Sequence, residues 1–225
     1  MQKRMLLAGC ASVAMLVFIP ASALAGALLE ADLGLHIFDV LGYNKLKYAA
    51  EDQDISESTD QDFTAKTHVP YGLFIAYTTD KIALGGELVF LSGKFKNRET
   101  DFGDLGTLEG DQTIFRFIRI GPQMRYFFLQ EKLKPFVALT MAYVKSTLDP
   151  PNQYSQDLAH LDLGLAGGAL YQLTERIALG GSGRFDAYLA LDQAESRDVY
   201  FRGDKLTSTT TWMPFTLYFH AAATF

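Results

Sequence analysis

Ten side chains of chemically capable types stand at alternate positions within otherwise apolar segments. They are Glu30, Asp32, His36, Glu87, Arg119, Arg125, Asp162, Arg184, Asp186 and His220. Carboxylates, guanidinium groups and imidazoles on the inner face of a strand pair with one another, because an unpaired buried charge is costly. The expectation is therefore an interior ion-pair network with a structural role. A second reading is a narrow or gated pore lined by the same groups, for which Gly164, Ala166, Gly168, Gly180 and Ser182 would leave room. His36 and His220 would both point inward on the first and last strands, which invites a metal or acid–base pair, yet no third ligand is evident and no metal is assigned. His160 lies near Ser155, Asp157 and Asp162, but a triad is defined by geometry and not by closeness in sequence. No catalytic residue, enzyme activity or cofactor is assigned. Asp52 to Glu57 begins like a calcium loop, but Glu57 stands where such a loop needs Gly.

The elements that would position these residues are strands. Leu29, Ala31, Leu33, Leu35 and Ile37 alternate with Glu30, Asp32, Gly34, His36 and Phe38 over Leu29 to Asp39. A period of two means that the two faces meet different media. The same alternation runs through Val69 to Thr78, Ile82 to Lys94, Thr113 to Phe128, Phe136 to Ser146, Leu158 to Leu173, Ile177 to Leu191 and Pro214 to Phe225. Polar segments near 41–67, 96–112, 147–157 and 192–210 are long, and those near 79–81, 129–134 and 173–176 are short. The first long segment holds six acids between Glu51 and Asp62. This alternation of long and short connections predicts an all-β, eight-stranded, antiparallel up-and-down transmembrane β-barrel with short periplasmic turns and long extracellular loops. A soluble sandwich has no reason to place every long loop at one end.

Tyr77, then Tyr126, Phe127 and Phe128, then Tyr171 precede the short turns and would form one aromatic ring at the periplasmic interface. Asp80 to Gly86 (DKIALGG) echoes Glu175 to Gly181 (ERIALGG), as repeated hairpins would. On the last strand Phe215, Leu217, Phe219 and Phe225 should face lipid, while Thr216, Tyr218 and His220 face inward and the strand pairs with Leu29–Asp39. Gly121-Pro122-Gln123-Met124-Arg125-Tyr126-Phe127-Phe128, Lys134-Pro135-Phe136-Val137-Ala138, the Thr174 to Leu179 hairpin and terminal Phe225 together resemble the small outer-membrane barrels of the OmpA-barrel, OmpX and OmpW-like group. That resemblance implies an envelope or surface role through external loops, with slow passage of a small solute as an addition. Its alternatives are an OmpW-like conduit for small apolar molecules and a lipid-modifying enzyme. It further implies contact with outer-membrane lipid and lipopolysaccharide, and a barrel-assembly machinery that reads Phe225.

The totals agree. Lys3 and Arg4, the uncharged run Met5 to Phe18 and Ala23-Leu24-Ala25 read as a signal peptide over 1–25, leaving 26–225 as the barrel domain of a cell outer-membrane protein. Leu7-Ala8-Gly9-Cys10 also matches a lipoprotein box, but the apolar segment before Cys10 is too short. Beyond Cys10 there is no cysteine, so neither a disulfide nor a thiol nucleophile is available. Removing Lys3 and Arg4 changes the balance from 20 − 26 = −6 to 18 − 26 = −8, a poor charge for a nucleic-acid partner.

Overall fold

The structure, a computed structural model, describes residues 26–50, 55–62, 64–66, 68–96, 100–101, 107–108, 112–129, 131–149, 156–192, 194–197 and 205–225. The signal-peptide segment, Cys10, Ser155 and three acids of the first polar segment, Glu51, Asp52 and Asp54, lie outside those residues.

Eight strands form the wall: β1 (Ala27–Ala50), β2 (Tyr71–Thr78), β3 (Ile82–Lys96), β4 (Gln112–Phe127), β5 (Leu133–Asp149), β6 (Gln156–Gln172), β7 (Ile177–Ala190) and β8 (Lys205–Thr224). Each pairs antiparallel with its sequence neighbours, and β1 pairs with β8 from Leu28↔Thr224 to Ala49↔Lys205, which closes the barrel. Closure removes every free edge at membrane depth, the condition for a sheet to cross hydrocarbon.

Outward positions are apolar. On β5, Leu133, Val137, Leu139, Met141 and Tyr143 are exposed, while Phe136, Ala138, Thr140, Ala142 and Val144 are buried. From residue 133 to 143 the chain rises about 34 Å at about 3.4 Å per residue. A tilt of about 40° converts this to about 26 Å of height, close to the apolar band of outer-membrane barrels, about 25 Å. Tyr77, Tyr126, Phe128 and Tyr171 are exposed next to the short turns. Phe127, expected in that ring, is buried instead, because strict alternation turns it into the bore between Tyr126 and Phe128.

The echoed turns are built alike. Ile82 N donates to Thr79 Oγ1 at 3.2 Å, and Ile177 N donates to Thr174 Oγ1 at 3.1 Å, so the threonine before each acid–base pair ties the turn.

Two expectations change. Phe38 is 48% exposed and faces outward, since register shifts between His36 and Phe38 and again between Asp39 and Leu41 insert bulges into β1. A bulge reverses the in–out parity of the residues beyond it. The segments near 41–67 and 192–210 are also not irregular throughout. Tyr43–Ala50 of β1 pairs with the strand Ile55–Asp62 on one side and with the upper part of β8 on the other. Ala194–Arg197 pairs with Lys205–Ser208. Four adjacent strands thus rise beyond the barrel as a sheet. Threonine-rich chain such as Thr207–Thr211 favours extended backbone without needing an apolar face, so hydropathy alone hides it.

Candidate functional site

The bore is filled in layers. At the short-turn end Leu28, Phe74, Ala76, Ala83, Phe127, Phe136, Ala138, Leu170 and Ala222 form an apolar plug. These are the inward positions of strand ends that meet where eight tilted strands leave a bore only as wide as its side chains.

Above the plug lies the first polar layer. Arg125 Nη1 donates to Glu30 Oε2 at 2.8 Å, and Nη2 donates to Glu30 Oε1. The same guanidinium lies 4.4 Å over the Phe74 ring and 4.9 Å from that of Phe136, so it is held by charge and by π-faces together. His220, directly opposite Asp32 across the β1–β8 seam, places Nδ1 2.6 Å from Asp32 Oδ1 and 3.0 Å from Glu30 Oε1. Its Nε2 lies 2.8 Å from Ser182 Oγ. Ser182, His220 and Asp32 therefore have the order and spacing of a nucleophile–base–carboxylate relay. The void beside them is about 10 Å³, room for about one water.

Gln123 links this layer to the next, accepting from Arg125 Nε at 2.9 Å and donating to Thr140 Oγ1 at 3.2 Å and Glu87 Oε2 at 3.4 Å. In the second layer two arginines share three carboxylates. Arg119 Nη2 donates to Glu87 Oε1 at 2.8 Å, and Nη1 lies 3.1 Å from Asp186 and 3.3 Å from Asp162. Arg184, on the opposite wall, reaches Glu87 with Nη1 at 2.8 and 2.9 Å, Asp162 with Nη2 at 3.3 Å and Asp186 with Nε. Tyr188 Oη accepts from Arg119 Nη1 at 3.3 Å. A Cβ added at Gly164 would stand 2.6 Å from Arg184 Nη2 and 2.7 Å from Asp186 Oδ1, so any larger residue here makes the ends of that pair shift. Among the described residues, Arg119 Nε and Asp162 Oδ1 are buried polar atoms of this layer with no partner.

The third layer is aromatic. Trp212 packs against His68, Phe115, Phe117 and Tyr188, and its Nε1 donates to Asp39 Oδ1 at 2.7 Å. Asp39 also takes His36 Nε2 at 3.0 Å and the Ala65 amide at 2.7 Å. The rings of His36 and His68 lie in tilted contact, with centroids 3.9 Å apart and planes at 33°. Beside this layer a void of about 40 Å³ is lined by Val144, Leu158, Tyr188 and Trp212, with Ser146 and His160 as its polar edge.

All ten charged or histidine positions singled out by alternation thus lie in the bore, in two clusters linked through Gln123 and one aromatic layer. His36 and His220 do not meet: the first joins Asp39 and His68, the second Asp32 and Ser182. His160 contacts Ser146 at 3.4 Å, Asp157 is on the outward face and Asp162 belongs to the arginines, so among the described residues no triad forms around His160. Among the described residues, Glu30, Asp32 and His220 are a group that could hold a cation, but Arg125 already binds Glu30 through both oxygens. Asp39, Gln123, Ser182 and Tyr188 are network members that the charge pattern alone does not single out. The last three share the inward parity, whereas the bulges conceal Asp39. Phe225 is exposed at the rim, donating its amide to Ala27 O at 3.0 Å while its carbonyl accepts from Gly26 N at 2.6 Å.

Fold and bore together define a closed, eight-stranded transmembrane barrel with a charged, packed interior. The chain is similar to the outer membrane protein OprG from Pseudomonas aeruginosa, with a TM-score of 0.64 at 15% identity, covering 89% of this chain and 96% of that one. Neisserial surface protein A and the outer membrane protease OmpT from Escherichia coli also match, with TM-scores of 0.39 and 0.45 and identities of 13% and 10%. They cover 89% and 88% of this chain and 97% of each of theirs. No protein-family model and no curated protein matches the chain. The architecture is one shared with outer-membrane proteins.

Proposed function

We propose that this chain is a non-enzymatic outer-membrane barrel whose bore is a structural plug and whose role is carried at the cell surface. The observation behind this reading is the interior network, in which Arg184 crosses from β7 to Glu87 on β3 and Arg125 from β4 to Glu30 on β1. Charges paired across the bore occupy the space a solute would use. The Ser182–His220–Asp32 relay is read as structural, because no acyl group fits the void beside it. The four-stranded sheet above the barrel then becomes the working surface. Planar-bilayer recording tests the idea: the purified barrel should show near-zero conductance, and steady, well-resolved channels would overturn it.

A second reading, a conduit for small apolar molecules, is favoured by breaks in the wall. The β4–β5 ladder skips from Ile120↔Tyr143 to Gln123↔Thr140 around Pro122, and β7–β8 from Phe185↔Phe215 to Tyr188↔Trp212 around Pro214, with the register kept on either side. Proline has no N–H for a ladder. A recess of about 640 Å³ bordered by Leu84, Met124, Leu139, Met141, Leu165 and Phe185 adjoins the Pro122 break. Uptake of a small aromatic solute into vesicles that falls in Pro122→Ala and Pro214→Ala variants would favour this reading; equal uptake by empty vesicles would remove it.

A further inference from the structure

The outer face of the barrel has a charge pattern that the bore does not explain. Rising along β5, the outward residues Leu139, Met141 and Tyr143 are followed by Lys145. On β4, Ile118 is outward and Arg116 is the next outward position above it; on β3, Phe90 and Ser92 are followed by Lys94. The register sets Lys145 opposite Ile118, Arg116 opposite Ser92 and Thr147, and Lys94 opposite Ile114. Three cations therefore occupy successive diagonal positions on adjacent strands, about 7–8 Å apart, beginning at the first row above the apolar belt. The side chains of Arg116 and Lys145 are 65% and 52% exposed.

The acids near them are layered. Arg116 lies 3.7 Å from Asp149 and Lys145 lies 3.1 Å from Asp157. Asp149 pairs with Ile114 and Asp157 with Thr147, so each acid is two residues farther from the belt than its base. Bases border hydrocarbon and acids face away. Exposed ion pairs of this kind bind weakly, which leaves the bases able to exchange partners. The short turns differ: each couples an acid to a base side by side, as Asp80–Lys81, Glu131–Lys132 and Glu175–Arg176. The outward residues of β7 and β8 at the long-loop end include Leu189, Thr211 and Met213, with no base among these.

We infer that Lys94, Arg116 and Lys145 form a binding site for the phosphate groups of an anionic glycolipid in the leaflet at the long-loop end. The guanidinium of Arg116 offers a fork for two phosphate oxygens, and the flanking lysines supply mobile point charges. Ile118, Tyr143 and the stacked pair Tyr71–Phe90 receive the acyl chains below. Basic groups at a membrane boundary select anionic headgroups by this combination of field and apolar support.

The inference rests on the outer-membrane reading and is tested so that the two fail separately. Wild type and the Lys94→Gln/Arg116→Gln/Lys145→Gln variant are inserted into phosphatidylcholine vesicles, with heat-modifiable gel migration scoring insertion. Diphosphoryl lipid A and its dephosphorylated form are then titrated against each in detergent by native mass spectrometry. Wild type should prefer the phosphorylated form, and the triple variant should lose at least tenfold in its retention. A control set at the short turns, Lys81→Gln/Lys132→Gln/Arg176→Gln, should retain it fully, and Arg116→Gln alone should show a partial loss if the triple variant does not fold. Equal retention by wild type and variant, or displacement by millimolar inorganic phosphate, overturns the site. Failure of wild type to insert overturns the membrane reading instead.

Discussion

Glu30 on β1 and Arg125 on β4 meet across the bore in a two-point ion pair, Nη1 donating to Oε2 at 2.8 Å and Nη2 to Oε1. Two strands, β2 and β3, separate their backbones around the wall, so the pair ties together parts of the barrel that share no ladder. Removing one partner strands the other in a dry interior, at a cost of about 3–5 kcal/mol. Glu30→Gln should lower the unfolding free energy by that amount, read as a lower guanidinium midpoint, whereas Glu30→Met with Arg125→Met should recover most of it. A double variant no better than the single one would show that the pair is not what stabilises this layer.

Gly164 gives a steric version of the same test. A methyl there meets both Arg184 and Asp186, and overpacking of this kind costs about 1–3 kcal/mol. Gly164→Ala should be destabilised within that range in the same denaturation assay. An unchanged midpoint would mean that Arg184 can reseat freely.

The relay of Ser182, His220 and Asp32 invites an activity probe. Sealed above the Phe127–Phe136 plug, Ser182 should stay unlabelled by a fluorophosphonate probe in the folded barrel. Labelling that disappears in Ser182→Ala would establish a reactive serine and overturn the non-enzymatic reading.

Asp39 accepts from Trp212, His36 and the Ala65 amide. Asp39→Ala leaves these donors without their acceptor, at about 1–3 kcal/mol for each group left unsatisfied. Because Trp212 is the chain's only tryptophan, its emission reports this layer directly. The variant should show altered Trp212 emission and a lower midpoint; a wild-type spectrum would argue against the cluster.

At the long-loop rim, beyond the apolar belt, the hydrogen bond from Thr147 holds the Asp157 carboxyl below its usual range, with Lys145 adding to the effect. A depressed carboxyl contributes its stabilisation above the ordinary value of about 3.9 and loses it as pH falls through the lower folded value. Carboxyl-carbon NMR should show Asp157 titrating below ordinary aspartates, and Thr147→Val should bring it back towards them.

The barrel was readable because alternation and loop asymmetry are both written in residue order. The strand set, the closing pair β1–β8 and the echoed turns at Thr79 and Thr174 come from those patterns. The interior is a different matter. Parity assigns Glu87, Arg119 and Arg184 to the bore, but which charge meets which depends on strand tilt and side-chain reach. Phe38 and Asp39 show the limit most directly, since two bulges in β1 exchange inside for outside and hydropathy carries no mark of them. The upper parts of β1 and β8 are hidden for the opposite reason: Lys45, Lys47 and the threonines of β8 form strand without an apolar face.

The unbroken run of β1 and β8 from the short-turn rim into the sheet above the barrel has a mechanical consequence. A partner that grips the sheet and pulls along the strands loads the ladder from Leu28↔Thr224 to Ala49↔Lys205 in shear, so its hydrogen bonds share the force in parallel instead of parting one after another. The surface sheet is thus anchored by the barrel's own closing seam, and a pull on it is borne by the whole height of the wall.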